Sequence, residues 1–191
     1  MAREARRLTA DDAYRLQSAE PGRHGSELVH GELVPLTPAS LPHGRVSVRI
    51  ARLLDEFTED RRSGRVYSEG GFVFHLPDDP ERVRAPDVAF VSTATLAKAG
   101  GEPEKGFAPF PPDLAVEVFS PSNLKDALQF QQRLHDYLRG GVRLVWVVYP
   151  ESRSAMALRS DGSARLLTEN ESLDGEDVLP GFHLPLSRLF L

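Results

Sequence analysis

Two apolar runs, Leu114-Ala115-Val116-Glu117-Val118-Phe119 and Leu144-Val145-Trp146-Val147-Val148, constrain this chain more than any other feature. Neither alternates polar with apolar residues, so both belong inside a sheet that is covered on its two faces. Between them Ser120-Pro121-Ser122-Asn123 stops the first run. A helical pattern with Leu124, Leu128, Leu134 and Leu138 then leads to Gly140-Gly141, with Asn123 and Asp126 placed to cap its start. Strand, helix, strand in that order predicts a right-handed parallel crossover, and hence an α/β fold.

The remaining elements pack around this unit. Thr9 caps a short N-terminal helix, with Asp12 at its third position and Leu8 stapled to Ala13. Glu27 to Val34 reads as a β-hairpin folded at His30-Gly31. Val46, Ile50, Leu53, Leu54 and Phe57 recur at helical spacing, which gives an amphipathic helix from near His43-Gly44 to before Gly64. Arg65 to Ser68, Phe72 to Leu76 and Val88 to Val91 read as an antiparallel meander, interrupted by glycine or by the turn Leu76-Pro77-Asp78-Asp79-Pro80. A loop rich in glycine and proline, Lys98 to Pro112, precedes the first apolar run, and strands around Met156 and Leu166 finish the sheet. The 191 residues suit one domain, 1–191.

The chain has no cysteine, which excludes disulfides, thiolate metal sites and cysteine nucleophiles, so any metal must sit on oxygen or imidazole. No segment approaches the roughly 18 consecutive apolar residues of a membrane helix, and no apolar run follows the basic N-terminus; the expected location is the cytoplasm. A net charge of -5 gives no global attraction to nucleic acid, so such binding would need a local basic surface.

Two carboxylates stand where a structural role is hard to supply. Glu117 lies in an apolar strand between same-face neighbours Ala115 and Phe119, where an unpaired charge costs on the order of several kcal/mol. It needs a cation, a donor or a cleft. Asp87 follows Pro86 at the start of a strand; alone, it reads as a turn residue. Converging at adjacent strand ends, the two would suit a hard divalent cation such as Mg²⁺, which takes oxygen ligands and keeps waters free to attack a phosphate.

At this point the sequence resembles the Uma-two (Uma2) family of restriction-endonuclease-like proteins, within the PD-(D/E)XK nuclease superfamily. The resemblance runs through Glu27 to Val34, Thr37-Pro38-Ala39-Ser40, His43-Gly44, Arg84 to Val91, Pro112 to Val118 with Ser120-Pro121-Ser122, Tyr137-Leu138, Val145 to Val148 and Leu179-Pro180-Gly181-Phe182. It implies a restriction-endonuclease-like core, a curved mixed sheet flanked by helices, with the N-terminal helix and hairpin attached. It also implies Asp87 and Glu117 as metal-binding acids for Mg²⁺ or Mn²⁺, DNA as the substrate, and Glu32 and His43 at the border of the same cleft. Nucleases that cut both strands often pair two sites about a two-fold axis, so a homodimer is an open option.

The chain departs from the family pattern twice. The superfamily's lysine two residues after the strand glutamate is Phe119 here, and the helix position where Uma-two proteins supply it is Arg133, with Gln131 or Lys125 as the other occupants of that space. Arginine stays protonated and cannot act as a base, so Arg133 would stabilise phosphate charge only. The usual Asp-Pro after the tryptophan strand is Tyr149-Pro150. The leading expectation is therefore a metal-dependent DNA endonuclease weakened by loss of its lysine. Its rival is a noncatalytic descendant that binds nucleic acid or protein. Arg45, Arg49 and Arg52, with Arg61, Arg62 and Arg65, could meet phosphates, but read more simply as a solvated face balanced by Asp55, Glu56 and Glu59. A serine nucleophile is disfavoured, since Ser120 and Ser122 lack a glycine elbow.

Overall fold

The two apolar runs pair as expected. In the computed structural model, which describes residues 7–19, 25–36, 38–120, 123 and 126–190, they form adjacent parallel strands with Glu117 level with Val147. The elements run α1 (Ala10–Ala19), β1 (Ser26–Val29), β2 (Glu32–Pro35), α2 (Leu41–Arg61), β3 (Gly64–Ser68), β4 (Phe72–Leu76), β5 (Asp79–Arg84), β6 (Val88–Ser92), α3 (Thr93–Lys98), β7 (Leu114–Val118), α4 (Ala127–Arg139), β8 (Leu144–Tyr149), β9 (Ser154–Arg159), β10 (Ala164–Leu167), β11 (Ser172–Asp174) and β12 (His183–Pro185). Three sheets result, ordered β10-β9-β8-β7-β6-β3, β2-β1-β5-β4 and β11-β12. The first is mixed, since β7 and β8 alone are parallel within it.

Side-chain alternation on the central strands builds two separate layers. Leu114, Val116 and Val118, with Val88 and Phe90, meet Val46, Ile50, Leu53 and Leu54 of α2 on one face. Ala115 and Val145, with Ala89 and Val91, meet Phe130, Leu134 and Tyr137 of α4 and the aromatic side of β4 on the other. Glu117 shares the second face with Ala115, so it looks toward α4. Trp146 stacks on Phe182, ring centroids 5.9 Å apart, and thereby ties the C-terminal segment to the first face.

Local chemistry accounts for the element ends. The Thr9 hydroxyl accepts from the Asp12 amide at 3.1 Å while the Asp12 carboxylate accepts from the Thr9 amide at 3.2 Å, a reciprocal cap for α1. The β1–β2 turn holds His30 and Gly31 at φ 50° and 79°, the left-handed pair that a tight hairpin requires. Ser40 caps α2 by accepting from the His43 amide, which starts that helix two residues before the expected point and puts His43 in its first turn.

Four expectations need correction. The meander does not exist as one sheet: β3 pairs with β6, whereas β4 crosses to the second sheet and pairs with β5. The turn at Pro77-Asp78 stands as expected, with Leu76 paired to Asp79, but no strand was expected after it: β5 follows, and its Arg82 and Arg84 are buried by ion pairing. On α4 the inward stripe is Phe130, Leu134 and Tyr137, while Leu128 is 81% exposed; Leu124 lies outside the described residues. Asn123 accepts from the amide and hydroxyl of Ser120 at 2.7 and 3.0 Å, and Asp126 makes no side-chain cap to α4.

Buried charge joins the second sheet to α4. Arg84 donates to Glu27 of β1 at 2.5 Å and to Asp136 of α4 at 2.6 and 2.9 Å. Arg82 donates to Asp136 and to Asp79, each at 2.7 Å, and Asp79 accepts from the His30 amide at the hairpin turn. Removing one partner from such a network strands a charge away from water. Arg84→Ala is expected to lower unfolding free energy by about 3–5 kcal/mol in urea titrations. Arg52→Ala opens an exposed pair with Glu56 on α2, and should lower it by no more than about 0.5 kcal/mol.

Candidate active site

Strand register brings the two singled-out carboxylates together. Val88 of β6 lies opposite Val116 of β7, the last pair of that register, which leaves Asp87 just past the end of β6 on the side of Glu117 and Val118. Past the end of the strand, the Asp87 carboxylate folds over the neighbouring peptide: one oxygen accepts from the Val118 amide at 2.7 Å and lies 3.1 Å from His43 Nε2. The first turn of α2 thus delivers His43, β6 delivers Asp87, and β7 delivers Glu117.

Helix α4 supplies the rest. Arg133 and Tyr137 are one turn apart on its inner face, the spacing at which two side chains can reach one target. The Tyr137 hydroxyl donates to Glu117 Oε1 at 2.5 Å, and Arg133 Nη1 donates to Glu117 Oε2 at 3.3 Å. The other terminal nitrogen of Arg133 donates to Glu27 Oε2 at 3.2 Å. His43, Glu69, Asp87, Glu117 and Arg133 all line one cavity of about 320 Å³.

The charges there are unbalanced. The linked side chains hold four carboxylates (Glu27, Asp79, Glu117 and Asp136) against three guanidiniums (Arg82, Arg84 and Arg133), while Asp87 stands apart from them, paired with His43. Burial raises the pKa of Glu117 from 4.5 to about 7; Arg133 and the Tyr137 hydrogen bond oppose the rise, and the Asp87 and Glu27 charges add to it. The hydrogen bond to Asp87 leads in raising the His43 pKa above its ordinary value, against the effect of burial. Burial also works against the Arg133 charge, yet Glu117 and Glu27 outweigh it and hold that pKa above the usual arginine value. Burial and the Glu117 charge push the Tyr137 phenol up, so it donates and does not ionise. Two buried polar atoms, His43 Nδ1 and Arg133 Nε, have no hydrogen-bond partner. Among the described residues, no group of three or more His, Asp or Glu side chains is gathered so as to hold an ion.

Four of the five singled-out residues, Asp87, Glu117, Arg133 and His43, therefore meet. Glu32 does not. It is exposed at the start of β2, opposite Val29, and absent from the cavity wall. The carboxylate that the hairpin sends inward is Glu27, fully buried on β1. Of the three occupants considered for the lysine position, Arg133 reaches Glu117, Gln131 is exposed and Lys125 lies outside the described residues. Tyr149, at the second departure, packs its ring on Phe119 at 5.2 Å. Four of the six arginines of the stripe have partners elsewhere, while Arg45 and Arg62 are exposed. Arg49 donates to the Arg188 and Leu189 carbonyls, Arg52 pairs with Glu56, Arg61 lies over the Phe57 ring, and Arg65 pairs with Glu102. Sequence reasoning also missed Arg84, Asp136 and Tyr137, although the four-residue step from Arg133 to Tyr137 on a helix was a usable signal for the last.

Comparison with known proteins agrees with this architecture. Residues 10–187 match the profile of the Uma2 family, described as "Putative restriction endonuclease". No curated protein matches the chain. Among solved structures, a protein from Anabaena variabilis ATCC 29413, described as a "putative nuclease belonging to DUF820", superposes with a TM-score of 0.75 at 16% identity, covering 96% of this chain and 97% of that one. That likeness shows the shared fold. No helix among the described residues is long and apolar enough to cross a membrane.

The raised Glu117 pKa makes stability depend on pH. Between about 4.5 and about 7 the folded chain keeps a proton that the unfolded chain has released, so this group's contribution falls as pH rises through that window. The fall amounts to about 3 kcal/mol at most. Unfolding measured from pH 4.5 to 7.5 should show it in the natural chain relative to Glu117→Gln, which cannot titrate.

Proposed function

The chain belongs to the Uma2 family of restriction-endonuclease-like proteins, and from that premise we propose that it hydrolyses DNA phosphodiester bonds using Mg²⁺ or Mn²⁺ held by Asp87 and Glu117. One observation carries the reading: two carboxylates at neighbouring strand ends, Asp87 and Glu117, line one cavity. Mg²⁺ is commonly bound through only one or two protein carboxylates, with waters and substrate phosphate completing its shell, so a two-acid site fits. When bound, the cation supplies Lewis acidity and an activated water.

The chain's own groups divide the remaining work. Asp87 is oriented by the Val118 amide and by His43, which leaves one of its oxygens outside those contacts. Tyr137 fixes the rotamer of Glu117. Arg133 keeps its charge throughout and lines the cavity, where a fixed guanidinium is suited to a phosphate oxygen. Its guanidinium does not give up a proton near neutral pH, so general-base help from this position is lost, and turnover is slower than a lysine would permit.

A second reading, a noncatalytic descendant that binds nucleic acid or protein, is favoured by one contact: Arg133 already pairs with Glu117. Plasmid nicking separates the two. The natural chain should nick DNA slowly with Mn²⁺ or Mg²⁺, Asp87→Ala should abolish the nicking, and Arg133→Lys should raise it by about tenfold or more. Intact plasmid with both metals, for the natural chain and for Arg133→Lys, would count against hydrolysis and leave the second reading standing.

A further inference from the structure

Arg133 is held differently from the other buried arginines. Arg82 and Arg84 make ion pairs of 2.5 to 2.7 Å, whereas Arg133 hangs between Glu27 at 3.2 Å and Glu117 at 3.3 Å, one terminal nitrogen on each. Its Nε has no partner, so the guanidinium is not forked onto either carboxylate. A forked pair on Glu117 would be the tighter arrangement, and it would occupy the carboxylate that a cation needs.

Glu27 opposes that arrangement. It is fully buried, and its oxygens are pinned: Oε2 by Arg84 at 2.5 Å and Oε1 by the Ala85 amide at 3.2 Å. Arg84 is in turn fixed by Asp136, so Glu27 cannot follow Arg133 toward the cavity. It is a fixed negative charge on the side of Arg133 away from Glu117. Resting on the reading of Asp87 and Glu117 as a cation site, we propose that Glu27 is a positioning residue that shares Arg133 with Glu117 and so keeps the guanidinium from forking onto the carboxylate that the metal needs. Glu27 touches neither cation nor substrate in this role; it acts through Arg133.

The test is Mn²⁺ affinity of the full chain, by calorimetry and by electron paramagnetic resonance of free Mn²⁺, in a double-mutant cycle of Glu27→Gln and Arg133→Met. With Arg133 present, Glu27→Gln should weaken Mn²⁺ binding by about tenfold or more, the range seen when a group orienting a metal ligand is lost. With Arg133→Met the same change should have little effect, because no guanidinium remains to fall onto Glu117. An unaltered affinity in Glu27→Gln, or an equal loss in both backgrounds, overturns the role of Glu27. Should Glu27→Gln fail to fold, Glu27→Asp keeps the buried charge for Arg84 on a shorter stem. It should weaken binding in the same direction and to a smaller extent, and unchanged affinity there overturns the proposal equally. Absence of Mn²⁺ binding in every chain, Arg133→Met included, overturns the cation site itself and this inference with it.

Discussion

Glu117 is a carboxylate inside a sheet, 3% exposed, and the architecture around it reads as a response to that charge. Tyr137 and Arg133 reach it from α4, Glu27 holds the other side of Arg133, and Arg84 with Asp136 fixes Glu27 in place. Desolvation of one side chain is thus spread over two sheets and a helix. The arrangement is costly unless every group is partnered, and Glu117 shares the cavity wall with Asp87.

The same interaction links fold to chemistry. Side-chain alternation along β7 sends Val116 and Val118 toward α2 and Glu117 toward α4, so the α2 layer is sealed by hydrocarbon and the α4 layer carries the polar chain. His43 crosses between them from the first turn of α2, which the Ser40 cap positions. Arg133 holds a permanent charge there, so under the proposed hydrolysis it would stabilise charge but not act as a base.

What the sequence disclosed follows from how residues signal burial. Long apolar runs and helical spacing announced β7, β8 and α2, and an acid within such a run marked Glu117, because apolar neighbours make a charge conspicuous. Arg82 and Arg84 gave the opposite signal. Pro80, Glu81 and two arginines carry no apolar run to mark a strand, and only the acids on β1 and α4, more than fifty positions away, show why they are buried. Glu27 and Glu32 likewise stand five residues apart in one hairpin. Composition cannot tell which faces inward, and the pairing of β1 with β5 decides for Glu27.

The account turns on whether residues 87 and 117 share one cation. Anomalous diffraction from crystals soaked in Mn²⁺ tests this most directly. The account predicts a single strong peak at about 2.1 Å from an oxygen of each carboxylate, with the Arg133 guanidinium turned toward Glu27. A cavity with no anomalous peak and Arg133 forked onto Glu117 would contradict it.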